Sequence, residues 1–144
     1  MSEFESSEVE SRRSARERAL ELLYEAELKQ RSVDVVLAGL AVPPVELAIE
    51  LVRGVATHQA RIDEIIGRRV TPRWSLARLA TLDRALLRIG TYELLEHPER
   101  SQAVIINEAV VLARRFGTED SPRFVNGVLA AVAQEVRGSG DHGW

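Results

Sequence analysis

Apolar residues recur at intervals of three and four along most of this chain, and no stretch alternates with a period of two between turn signals. That rhythm restricts the fold to packed helices. Ala19, Leu22, Leu23 and Ala26 fall at i, i+3, i+4 and i+7, a core-facing stripe on a helix that runs to about Gln30. Tyr24 and Leu28 form an i, i+4 pair beside it. Ser11 or Ser14 is the expected cap, and Ser14 with Glu17 has capping-box spacing. The preceding MSEFESSEVES, residues 1–11, reads as a flexible acidic tail.

Val33, Val36, Leu37 and Leu40 mark a short helix that stops before Pro43 and Pro44. Pro44 suits the first turn of one long helix from Val45 to Val70, which Pro72 ends after Thr71. Ser75 caps the next stretch, which carries Leu76, Leu79, Leu82, Leu86, Ile89 and Leu94 and breaks at His97-Pro98. Gly90 inside it implies close helix packing. A further helix covers Val104 to Phe116, with Gly117 as a left-handed terminus. Ser121 as cap and Pro122 in the first position open the last helix. Residues 138–144, GSGDHGW, read as a disordered tail. The expectation is an all-α body over residues 12–137, with six or seven helices and short, antiparallel-favouring connections.

The 144 residues suffice for one domain with a real core. The absence of cysteine removes disulfides, thiolate metal sites and cysteine nucleophiles, and fits a cytoplasmic protein. No run approaches the ~20 apolar residues of a membrane span, and the start has no apolar signal core. His58, His97 and His142 lack ligand spacing, and no nucleophile elbow or phosphate loop is present. Asp83 and Glu93 lie about 15 Å apart along a helix axis, too far for joint acid–base work. No catalytic residue, metal or cofactor is expected.

The arginines carry the functional signal. Lys29 is the only lysine, while Arg12, Arg13, Arg16 and Arg18 crowd the expected first-helix start. Cations there oppose the helix dipole, which points to an anion site rather than to stability. EDSPRFVNGVL repeats the device, with Arg123 and Phe124 just inside a helix start. Arginines, helix-end N–H groups and an aromatic together suit single-stranded nucleic acid. The net charge of −3 confines such a site to a local patch. The alternative is a solvated face on which Glu17 and Glu21 neutralise neighbouring arginines.

Three segments, RRSARERALELLYEAEL, LDRALLRIGTYELL and VIINEAVVLARRFGTEDSPRFVNGVL, resemble the NusB family of bacterial transcription antitermination factors. The resemblance implies an all-helical fold in two subdomains that binds the boxA element of nascent ribosomal RNA leaders. It also implies action with NusE, itself a small-subunit ribosomal protein. In such an assembly RNA polymerase, with the other Nus factors, resists termination in ribosomal RNA operons. No reaction is catalysed; RNA and protein bind one scaffold. The family permits monomers and homodimers.

Carried onto this chain, the basic motif puts Arg12, Arg13 and Arg16 on RNA, with Ser121, Arg123, Phe124 and Asn126 near the same surface. Phe124 stacks on an unpaired base or serves as a core staple, and Asn126 meets RNA or local backbone. Asp120 reads as a helix-start anion. Tyr24, Leu28 and Asp83 are the implied NusE contacts. The alternatives are core packing for Leu28 and an ion pair with Arg84 or Arg88 for Asp83. Asn107 and Glu108 read as structural, through capping or an interhelix hydrogen bond. Glu3, Glu5, Glu8 and Glu10 form an acidic arm expected to fold over the arginine patch. Rival readings are a helical protein-interaction module without RNA affinity, and the similar N-terminal domain of certain RNA methyltransferases.

Overall fold

A computed structural model describes residues 2–70 and 75–138. Its helices are α1 (Glu3–Lys29), α2 (Val33–Ala38), α3 (Glu46–Thr57), α4 (Gln59–Arg69), α5 (Thr81–Glu96), α6 (Gln102–Phe116) and α7 (Ser121–Val136). A 3-10 turn, Leu76–Arg78, precedes α5, and no strand occurs among the described residues.

The first helix starts well before Ser11. Ser2 caps it by accepting a hydrogen bond from the Glu5 N–H at 3.1 Å, and Glu3 and Glu5 complement the positive end. Gln30, at φ 54°, closes the other end in the left-handed region. This corrects the expected flexible tail over residues 1–11: residues 3–10 are helical. Arg12, Arg13, Arg16 and Arg18 therefore stand mid-helix, away from the dipole's positive end. The acidic residues do not fold back as an arm. Glu8 instead pairs with Arg12 one turn along the same helix, at 2.6 Å. The expected tail at 138–144 falls, from residue 139 on, outside the described residues.

Two other expected helices divide. The long helix from Val45 breaks at His58 (φ −104°, ψ 14°) into α3 and α4. The apolar spacing passes from Val55 to Ile62 in phase, so periodicity carries no trace of the break. His58 faces Glu96 across the joint at 3.3 Å. The stretch after Ser75 opens as a 3-10 turn, and α5 begins only at Thr81. Arg84 closes that turn by donating to the carbonyls of Leu76 and Leu79 at 3.0 and 2.8 Å. The expected stop at Thr71 and Pro72 lies outside the described residues.

The turn between α6 and α7 also differs in detail. Gly117 is extended (φ −92°, ψ −167°) rather than left-handed. A Cβ there would sit 2.5 Å from Ser121 Oγ, so the glycine permits close approach. Ser121 is not the α7 cap, which falls at Asp120. Its buried hydroxyl instead accepts from the Thr118 N–H at 3.0 Å and stiffens the turn.

Helix α5 is the hub. Residues from Ala85 to Leu94 are buried almost without interruption, and α5 packs against α1, α3, α4, α6 and α7. Helices α1–α3 contact one another on one side, and α4, α6 and α7 gather on the other. Leu22, Leu51, Ile62, Leu86, Leu87 and Leu129 are fully enclosed in this shared core. Each such side chain contributes roughly 1.5–3 kcal/mol through burial. Gly90 meets the Leu129 methyl groups, as close packing requires, and Gly54 receives the Tyr92 ring.

A Cβ at residue 54 would lie 2.2 Å from Tyr92 Cζ. Gly54→Ala is expected to destabilise the fold by about 1–3 kcal/mol through overpacking. Urea unfolding should show a lower midpoint with an unchanged slope; an unshifted midpoint would contradict this account of the contact.

Candidate nucleic-acid and protein interfaces

The arginines of α1 divide by depth. Arg16 shares a face with Ala19 and Leu20 and turns inward, where it is only 5% exposed. Its guanidinium grips buried Glu93 of α5 in a fork, with Nε to Oε2 at 3.0 Å and Nη2 to Oε1 at 2.8 Å. Burial works to lower its pKa, but the hydrogen bonds and charge of Glu93, with the charge of Glu108, hold it above the ordinary value. Arg16 is thus a structural residue, which corrects its expected place on an RNA surface. The signal was available in the sequence: Ala15, Ala19 and Leu20 surround it on the helix.

Arg13 is half-buried and forks onto Glu108 of α6 at 2.8 and 3.3 Å. Glu108 therefore has the interhelix role expected of it. Asn107 is exposed beside it. Arg12 alone of the three is fully at the surface, held only by Glu8.

Ser121, Arg123 and Phe124 do come together, in an open cleft of about 590 Å³ between the α5 start and α7. Val70, Leu79 and Val128 supply its apolar walls. Phe124 packs against the core, as the staple reading expects, and also lines this cleft. Arg123 is exposed and has no ion-pair or hydrogen-bond partner among the described residues. Asn126 is exposed on the next turn. Ser121 is buried and engaged with Thr118, so it shapes the cleft from behind. No hydrogen bond or ion pair among the described residues joins Arg12, Arg13 or Arg16 to this cleft.

Asp83 enters the same cleft, apart from Tyr24 and Leu28. Neither expected ion pair forms. Arg84 binds Glu27, and Arg88 binds Asp63 at 2.8 and 2.9 Å. Asp83 Oδ1 is buried and meets no donor among the described residues.

Tyr24 and Leu28 line a second cleft, of about 370 Å³, with Leu82 and Phe116. Leu28 is 60% exposed and Phe116 44%, which excludes core packing for Leu28. Arg115 stacks over Phe116 at 4.9 Å. Glu17, Glu21 and Glu25 edge the groove, paired with Arg115, Arg18 and Lys29 respectively. Leu82 and Phe116 were missed as surface residues because each sits in phase with an apolar stripe. The clefts adjoin: consecutive residues Leu82 and Asp83 point one into each.

No group of His, Asp or Glu among the described residues has a metal-binding arrangement. No helix among them is long and apolar enough to cross a membrane.

Arg16→Ala leaves Glu93 buried with only Arg100 for company and is expected to cost about 3–5 kcal/mol. Arg12→Ala, at the surface, should fall within about 0.5 kcal/mol of the parent. Urea unfolding of the two variants checks the division; equal effects would erase it.

The geometry has counterparts. The NusB family profile matches residues 13–134. A transcription antitermination protein NusB of Beutenbergia cavernae is 46% identical over 136 residues, covering 85% of this chain and 88% of the relative. A T. maritima NusB structure superposes with a TM-score of 0.81 at 32% identity, covering 90% of this chain and 95% of that one. A structure of antitermination factors NusB and NusE in complex with dsRNA gives 0.73 at 27% identity, covering 86% and 96%.

Proposed function

The chain belongs to the NusB family of transcription antitermination factors, and from that premise we propose that it binds boxA RNA and NusE on two adjoining surfaces. The observation that carries this reading is the pair of clefts flanking the first turn of α5. The Arg123–Phe124 cleft, with Asn126 on the next turn, offers a cation, an aromatic and a helix N-terminus, the chemistry of an RNA strand. Arg12 adds an outlying phosphate contact, and Arg13 supports it from its pair with Glu108. The Tyr24–Leu28 groove offers exposed apolar anchors, with Leu82 and Phe116, inside a rim of ion pairs, the chemistry of a protein partner that brings an apolar contact face. NusE, as a ribosomal protein, supplies that partner. The solved relative that holds both NusE and dsRNA supports a shared scaffold.

The mechanism is assembly without catalysis. Each ligand raises the local concentration of the other's attachment point, so the ternary complex is tighter than either binary one. The assembly extends to RNA polymerase and the other Nus factors, in the cytoplasm. A homodimer that covered either cleft would compete with its ligand.

Titration of boxA RNA, a scrambled strand and a duplex, with and without NusE, across a salt series tests this. BoxA should bind tightest, and NusE should tighten it further. For a single strand, each phosphate contact contributes a log–log salt slope of about −0.7, so Arg123→Ala should flatten the slope by that amount. Tyr24→Ala should weaken NusE binding and leave binary RNA binding intact. Equal affinity for all three RNAs, unmoved by NusE, would defeat the reading.

A further inference from the structure

Helix α1 runs more than two turns ahead of Arg12, and this extension carries Glu3, Glu5, Glu8 and Glu10. Its residues are exposed apart from half-buried Ser6. The family profile begins only at Arg13, so the extension lies ahead of the shared body. Helical register decides which carboxylates act on the arginine. Glu5, Glu8 and Arg12 fall at i, i+3 and i+7, on one face of the helix. That face continues through Ala15, Arg16 and Ala19, which are buried, so Arg12 is the first of its residues to clear the body. Glu8 holds Arg12 at 2.6 Å, and Arg12 has no other ion pair or hydrogen bond among the described residues. Glu5 follows at about 10 Å from Arg12 along the axis, close to the screening length of ~10 Å at 0.1 M salt. Glu10 stands on the other side of the helix.

We propose that the acidic extension of α1 is an autoinhibitory element, a brake on RNA binding in which Glu8 masks Arg12 and Glu5 repels the incoming phosphate. The inference rests on the RNA reading above and names how that surface is held in check. A phosphate that reaches Arg12 must displace the Glu8 carboxylate and then sit beside two negative charges. The side chains of Arg12 and Glu8 are 59% and 44% exposed, so the pair is open to exchange rather than locked. The mask therefore weakens the contact without abolishing it. A penalty of this kind falls on every strand. Only RNA with further contacts at the Arg123–Phe124 cleft then binds at working concentrations. The brake needs no conformational change, because the Ser2 cap and the continuous helix keep Glu8 in register with Arg12.

The test uses full-length variants and fluorescence anisotropy with boxA RNA and a scrambled strand across a salt series. Glu8→Gln, which keeps the size and removes the charge, should tighten both strands about threefold at low salt, the order that an exposed ion pair is worth. The released Arg12 should steepen the log–log salt slope by about 0.7, one phosphate contact on a single strand. Glu8→Ala should do the same, and because alanine is the best helix former, a shared gain excludes melting of the extension as its cause. Glu10→Gln removes an equal charge from the other side and should change affinity less. In an Arg12→Ala background, Glu8→Gln should lose its effect. An equal gain in both backgrounds overturns the masking of Arg12. Unchanged affinity in Glu8→Gln and Glu8→Ala, with Arg123→Ala still weakening the parent, overturns the brake and leaves the RNA reading standing. Absence of RNA binding by the parent and by both Glu8 variants overturns both. Weaker NusE binding in Glu8→Gln, with RNA affinity unmoved, hands the acidic helix to a protein partner instead.

Discussion

The buried ion pair between Arg16 and Glu93 fixes how α1 lies on α5, and the two surfaces are positioned by that placement. Both side chains are almost wholly removed from water. Either charge alone at that depth would be strongly destabilising, so the helices are held to a register in which the fork closes. The constraint spreads outward. Arg100 also reaches Glu93, at 3.1 Å, and touches Glu50 of α3 at 3.4 Å. Glu50 in turn accepts from the Tyr92 hydroxyl and faces His97 Nε2, each at 2.6 Å. Burial works to raise the Glu50 pKa, yet these partners together hold it below the ordinary carboxylate value. A chain of charge-assisted contacts thus runs from α1 through α5 to α3 and the α5–α6 connection.

This network explains which parts of the molecule could be read in advance. Helix existence was legible, because burial on α6 and α7 follows three- and four-residue spacing. Helix ends were less so. The acidic composition before Ser11 suggested a tail, whereas Ser2 as cap and Glu3 and Glu5 at the positive end make a helix start. The break at His58 was invisible, since the apolar phase runs through it. The α5 start was hidden because it depends on the Arg84 side chain reaching back to two carbonyls.

The candidate site was legible as residue types but not as groupings. Arg12, Arg13 and Arg16 look alike in sequence, yet successive helical residues are separated by about 100° around the axis. One therefore faces solvent, one an α6 carboxylate and one the core. A fold with few lysines must use arginine for both interior forks and exposed contacts, so an arginine count alone overstates the binding surface. Phe124, Arg123 and Asp83 meet only through tertiary packing of α7 against α5, which no local spacing announces.

The adjacency of the clefts has a consequence for assembly. Leu82 and Asp83 are consecutive residues on one rigid helical turn, and each belongs to a different cleft. Phe116 and Ser121 likewise bracket one short turn, held by the Ser121 hydroxyl and the close fit at Gly117. A ligand in one cleft therefore rests on a wall whose other side faces the second ligand. Cooperation between them needs no conformational change: a stiff shared wall keeps the unfilled cleft in its binding shape and holds the bound partner beside it. The same arrangement limits promiscuity. With Arg13 and Arg16 committed to carboxylates and the net charge at −3, general attraction to polyanions is weak. Selective binding must then come from the few groups left unpaired at the clefts, and those groups are set by the packing that the buried pair fixes.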